Sequence, residues 1–176
     1  MKQYIVFILI ALFCFSCKSS AQIKSRDLKA FQMTKQEYTQ FKNFLLSKNL
    51  QVKDTVFIKY DFDKETCWNG LDSEGKKYIN IIVKQFQEHV SNFNSLYPTA
   101  VAYNFRQPGK NFNKLKLWDE TIIVDDTELL KKLIFKNKAT CGTSAIILGD
   151  GSYLLYEYDP HFELLSLHHN YDGKKF

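Results

Sequence analysis

Cys67 and Cys141 are the residues of this 176-residue chain best suited to covalent chemistry. A thiolate attacks disulfides and peroxides, and two thiols can close on each other. The chain has four cysteines, and the other two, Cys14 and Cys17, fall at its N-terminal end. Cys14 leaves with an N-terminal signal, and Cys17 is either modified or removed, so the pair at 67 and 141 remains. In an oxidising compartment an even pair is a candidate disulfide. Two separately buried thiols are the alternative, because free cysteine packs like a small hydrophobe.

Other constellations are weaker. Asp61-Phe62-Asp63 and Val124-Asp125-Asp126 each end an apolar run in closely spaced acids. Two acidic loops of this kind can hold Mg²⁺ while one Asp acts as nucleophile, as in haloacid-dehalogenase-type phosphatases. Glu65 stands where Thr or Val is usual, and no phosphate-binding Ser/Thr and Lys pair lies between the two runs. Simpler roles are a loop start after Phe62 and a helix cap at 125–127. Asp61, Asp63, Glu65 and Asp72 follow a calcium-loop spacing only in part, with Thr66 at the sixth position and Asp72 at the twelfth. His161, His168 and His169 lie close in sequence, but adjacent side chains on a strand point apart, and surface histidines are expected. No metal site or cofactor is expected.

The first two dozen residues determine where the protein goes. Lys2 precedes an apolar run from Tyr4 to Phe15, then Ser16, Cys17, Lys18, Ser19, Ser20 and Ala21. A positive start, a short apolar stretch and small residues make an export signal. The run is shorter than the roughly 20 residues a membrane-spanning helix needs. Cleavage before Cys17, with Cys17 lipidated, is preferred over cleavage after Ala21. The segment Cys14-Phe15-Ser16-Cys17 resembles a relaxed bacterial lipobox, with Cys14 in place of the usual Leu. Lipid chains on Cys17 anchor a protein stably to a membrane. The expected location is the bacterial cell envelope, periplasmic or anchored to the outer membrane, with secretion as the alternative.

The formal charge is +5, and losing residues 1–17 removes Lys2 and no acid, leaving +4. Lysines are interspersed with acids, which argues against nucleic acid as a partner. A hydrophobic fraction of 45% is enough for a packed core. The expected organisation is a signal at 1–17 (alternatively 1–21), a tether at 18–33 and one domain at 34–176.

The elements that must position the cysteines follow from pattern. Thr34 and Glu37 form a capping box that opens a helix to about Lys48, with Tyr38, Phe41, Phe44 and Leu45 on one face. Residues 54–62 read as a buried strand. Residues 63–75 read as a polar loop or irregular helix start around Cys67. Ile79, Ile82, Val83, Phe86, Val90, Phe93 and Tyr97 mark a long amphipathic helix stopped by Pro98. Strands follow at 99–105 and 121–124, a short helix after Asp125, and a hairpin at 144–148 and 153–158 around Gly149-Asp150-Gly151-Ser152. The tail at 161–169 reads as a last helix or strand. A strand–helix–strand unit implies a parallel pair, and the hairpin makes the sheet mixed.

On this order, and on Cys67-Trp68-Asn69-Gly70 and Cys141-Gly142-Thr143 followed by a hairpin strand, residues 54–158 resemble the thioredoxin-like envelope proteins of bacteria, including their thiol–disulfide and peroxiredoxin-like branches. The resemblance implies an α/β fold, a thioredoxin-like mixed sheet flanked by helices, here with an extra N-terminal helix. It also implies that the loops carrying Cys67 and Cys141 are neighbours. The chain departs from the family at two points. Gly70 replaces the second cysteine of a CxxC, and Gly142 replaces the cis-proline, so a trans peptide is expected there. Two functions are carried forward. The first is a non-catalytic envelope binding or structural module stapled by Cys67–Cys141, with an envelope protein as partner. The second is a thiol–disulfide oxidoreductase or thiol peroxidase-like enzyme in which Cys67 attacks and Cys141 resolves. Lys64 would assist that thiolate, and Asp61, Asp63 and Glu65 would oppose it. Mg²⁺-dependent phosphatase is a minor third.

Overall fold

The computed structural model describes residues 27–168. The signal, Cys14, Cys17 and His169 lie outside the described residues. In chain order the elements are β1 (Leu28–Gln32), α1 (Lys35–Ser47), β2 (Thr55–Asp61), α2 (Lys76–Leu96), β3 (Ala100–Arg106), α3 (Lys114–Trp118), β4 (Ile123–Val124), α4 (Leu129–Leu133), β5 (Thr143–Leu148) and β6 (Ser152–Glu157). Short 3-10 turns span Asn69–Ser73 and Glu163–Leu167. The six strands form one mixed sheet in the order β1-β6-β5-β2-β3-β4. β2 and β3 are parallel, β3 and β4 are parallel, and β5 runs antiparallel to both β2 and β6. Among the described residues no helix is long and apolar enough to cross a membrane.

β2 organises the sheet. All seven of its residues are buried. Val56, Ile58 and Tyr60 face α1 and α4, packing with Phe41, Phe44, Leu45, Leu130 and Phe135. Phe57, on the other face, packs on Phe93 of α2 and on Leu164 and Leu165 of the last 3-10 turn. Strand alternation puts Thr55, Lys59 and Asp61 on that second face too. The face is therefore apolar at the N-terminal end of β2 and charged at the C-terminal end.

The long helix, the two central strands and the hairpin stand where sequence pattern puts them. The hairpin closes through Asp150 and Gly151. Gly151 has φ +84, and its N–H donates to Leu148 O at 3.0 Å. Three expectations need correction. Residues 28–32, read as part of a tether, form an edge strand paired with β6, and Met33 is in the core. That strand is mostly exposed and carries no apolar alternation to reveal it. The strand expected at 121–124 is only two residues long, and the lysine-rich connection after Pro108 contains α3. The cap of α4 is Glu128, in a left-handed backbone conformation; Asp125 instead accepts from the Lys131 N–H within that helix. The tail, read as a last helix or strand, holds the short 3-10 helix Glu163–Leu167.

The capping box that opens α1 is complete. Glu37 N donates to Thr34 Oγ1 at 3.2 Å, and Thr34 N donates to Glu37 Oε2 at 2.8 Å. Thr34→Ala is expected to cost about 1 kcal/mol. Urea unfolding would show a lower midpoint with an unchanged m value.

Candidate functional site at the C-terminal end of the central strands

Cys67 and Cys141 are joined in a disulfide, with Cα atoms 5.0 Å apart. The bond ties the segment leaving β2 to the segment entering β5, and both cysteines are half-buried. The site therefore lies beyond the C-terminal ends of the parallel strands β2 and β3, where open α/β sheets leave a crevice. Cys67 sits in a turn before the 3-10 turn Asn69–Ser73, and α2 begins only at Lys76. An α-helix N-terminus therefore does not stand directly against its sulfur. The chain contains no cis peptide bond among the described residues, Cys141–Gly142 included.

Gly142 is required by its conformation and its neighbours. Its φ is +73, and a Cβ there would fall 2.9 Å from Asp61 Oδ1 and 3.0 Å from Lys59 Nζ. Its carbonyl accepts from Tyr158 N at 3.0 Å and Asp159 N at 3.2 Å. The Asp159 carboxylate in turn accepts from the N–H groups of Glu163 and Leu164, which fixes the last 3-10 turn. The adjoining His161 ring lies edge-to-face on Trp68, with centroids 5.0 Å apart. Lys64, Trp68, Tyr158 and Phe162 all have φ between 59° and 84°. Left-handed backbone is unfavourable for bulky residues, and it is concentrated in the segments that frame the disulfide.

Beside Gly142 lies a buried cluster of four charges. Lys59 Nζ donates to Asp61 Oδ1 at 2.5 Å. Lys116 Nζ reaches Asp61 Oδ1 at 2.9 Å and Glu65 Oε2 at 2.7 Å. Glu65 Oε1 also accepts from Phe62 N at 2.7 Å. The two cations balance the two carboxylates. Burial pushes Asp61 up, but Lys59 and Lys116 together hold its carboxyl below the ordinary value. Burial and the neighbouring Asp61 push Glu65 up, against the pull of Lys116. Burial pulls Lys116 down, and its two carboxylate partners more than restore it. Asp61 thus stays ionised, and Glu65 is the member of the cluster readiest to take up a proton.

The cluster and the disulfide share a strut. Asn113 caps α3 by accepting from Lys116 N at 3.1 Å, and its amide donates to Cys67 O at 2.7 Å. A cavity of about 30 Å³, lined by Lys59, Asp61, Asn104, Lys116, Asp119 and Trp68 among others, adjoins the cluster. It has room for about one or two waters.

Of the residues singled out by sequence, the structure brings together Cys67, Cys141, Asp61 and Glu65. Asp61 and Glu65 do not sit as free anions beside Cys67; lysines neutralise both. Asp63 turns away, its carboxylate accepting from the backbone and side-chain N–H groups of Asn111. The acidic pairs do not converge on a metal. Asp125 accepts from the Tyr60 hydroxyl on the face opposite Asp61, and the exposed Asp126 pairs with half-buried Lys48. Among the described residues no group of three or more His, Cys, Asp or Glu side chains could hold a metal ion. The histidines separate as well. His161 packs on Trp68 and Phe86, while His168 is buried against Tyr97 and Phe93 rather than on the surface.

Sequence reasoning did not identify Lys59, Lys116 or Asn113. A signal for Lys59 was available, because it lies inside a buried strand on the same face as Asp61. Lys116 had none, being one of several lysines in a polar connection.

Two variants test the cluster. Lys116→Met leaves the buried Glu65 without its lysine and Asp61 with Lys59 alone, and is expected to cost about 3–5 kcal/mol in urea unfolding. The pH dependence has two signs. Asp61 has a lowered folded pKa, so its contribution is present above its ordinary 3.8 and is lost as pH falls below that value. Glu65 has a raised folded pKa, so its contribution is present below its ordinary 4.5 and is lost as pH rises through the folded value. Glu65→Gln is expected to abolish the second slope and keep the first, read from unfolding midpoints across that pH range. Comparison of the chain with protein-family models, with curated proteins and with solved structures found no match.

Proposed function

We propose that this chain is an exported, thioredoxin-like thiol–disulfide exchange protein, anchored to the envelope through a lipidated Cys17, in which Cys67–Cys141 is the reacting bond. The observation that carries the exchange reading is the buried Lys59–Asp61–Lys116–Glu65 cluster set against Gly142, next to Cys141. A staple does not need it. A buried ion-pair network adds little stability over apolar residues of the same volume, because desolvation offsets the Coulombic attraction. Beside a bond whose cleavage makes a thiolate, the same network, balanced in charge, supplies buried ammonium groups and a proton-exchanging carboxyl. The partial exposure of both cysteines and the left-handed backbone around them fit that reading. The order β3-β2-β5-β6, with a parallel central pair and an antiparallel hairpin, supports the thioredoxin-like comparison. β1 and β4 are additions at the two edges. The export signal accounts for a disulfide in a bacterial protein.

In the exchange, a partner thiolate attacks one sulfur of Cys67–Cys141. A mixed disulfide forms, and the other cysteine leaves as a thiolate that takes a proton. A second partner thiolate then attacks the mixed disulfide. The partner is left with a disulfide and this protein with two thiols; two electrons and two protons have moved. The reverse sequence reduces a partner disulfide.

The second reading is a stapled, non-catalytic envelope module, and one observation favours it. The cysteines are 74 residues apart and join two irregular segments. Closing such a loop is worth about 4.5 kcal/mol by chain-entropy reasoning. Equilibration of the mature protein with thiol redox buffers, followed by thiol trapping and mass spectrometry, separates the two. Exchange predicts a potential above about −270 mV; a value below about −300 mV establishes the staple.

A further inference from the structure

We infer that the partner in this exchange presents its cysteines on an acidic protein segment, which docks in a lysine-lined recess between the two cysteine-bearing segments. The inference rests on the exchange reading above. The recess, about 300 Å³, is lined by Phe62, Asp63, Lys64, Gln107, Lys131, Lys136 and Lys138. Residues 62–64 run directly toward Cys67, and residues 136–138 toward Cys141. Lys138 Nζ donates to Asp63 O at 2.7 Å, so the two segments are joined here as well as at the disulfide. Lys138 is three residues from Cys141 and Lys64 three from Cys67. A chain advances at most about 3.6 Å per residue, so those backbones lie within about 11 Å of the cysteines. That is close to the Debye length of about 8 Å at physiological salt.

The charges in the recess do not cancel internally. Lys131 is paired with Glu128 at 2.8 Å, which also accepts from Gln107. The Asp63 carboxylate is turned onto Asn111. The ammonium groups of the exposed Lys64 and Lys136 make no hydrogen bond or salt bridge among the described residues; Lys64 and Lys138 act on the Asp63 carboxylate, and Lys136 on Glu37, only at longer range, and Lys138 Nζ donates to a carbonyl. Lysines scattered on a surface are ordinarily matched by nearby acids. Here three converge on one concavity that holds a single carboxylate. An acidic flank beside a partner cysteine supplies the missing charge, and its attraction acts mainly on the rate of encounter.

The test uses the mature, oxidised protein and three dithiol peptides of equal length and cysteine spacing, flanked by Glu/Asp, by Ser/Gly or by Lys. Dithiothreitol is the uncharged control, and second-order rates of opening Cys67–Cys141 are read by thiol trapping. At low ionic strength the acidic peptide is expected to react about tenfold faster than the neutral one and the basic peptide more slowly, the rates converging at high salt. Lys64→Glu with Lys136→Glu is expected to erase the preference, read as the ratio of each peptide's rate to the dithiothreitol rate of the same variant. Equal rates for the three peptides, or a preference that survives the double variant, overturn the recess while exchange stands. If neither peptides nor dithiothreitol open the bond, the exchange reading and this inference fall together.

Discussion

Four charges buried at one end of a sheet are the constraint on which the rest of the site depends. Lys59 and Asp61 are placed inside by strand alternation, on a strand that must be buried because helices cover both its faces. Neither charge is tolerable alone at that depth. Lys116 must therefore arrive from α3 and Glu65 from the loop after β2, and the loop geometry follows. Glu65 turns in to meet Lys116 and the Phe62 N–H, which brings Cys67 round toward the segment that enters β5. Gly142 then has to be a glycine, because Asp61 and Lys59 occupy the space a side chain would need.

This arrangement couples the disulfide to the charges through covalent neighbours and one strut. Asn113 holds the Cys67 carbonyl and the start of α3 together, so movement of the cysteine loop bears on Lys116. The Gly142 carbonyl holds residues 158 and 159, and through the buried Asp159 it sets the turn that places His161 over Trp68. Elements far apart in sequence thus meet around one bond. The apolar parts of the molecule, by contrast, are arranged conventionally as two layers of side chains on the two faces of the sheet.

Much of the framework was legible without coordinates. The capping box at Thr34 and Glu37, the apolar stripe of α2 and the glycine-bracketed hairpin each rest on interactions within a few residues, and each stands where its pattern placed it. β1 was not legible, because an edge strand with one partner need bury little and shows no alternation. β4 and α4 were misjudged at their ends: Glu128 holds the N-cap position without a side-chain hydrogen bond, while Asp125 accepts both from the Lys131 N–H and from the Tyr60 hydroxyl, a partner far off in sequence.

By itself the sequence determined the local elements and the two cysteines as the candidate reactive pair, because these depend on periodicity, capping and composition. Only the tertiary structure decided that Cys67 and Cys141 meet, that Asp61 and Glu65 are neutralised by lysines rather than opposing a thiolate, and that Asp61 and Asp125 face opposite sides of the sheet. Those outcomes turn on distances between residues up to 74 positions apart, and on the rule that a buried charge must find its partner wherever the fold brings one.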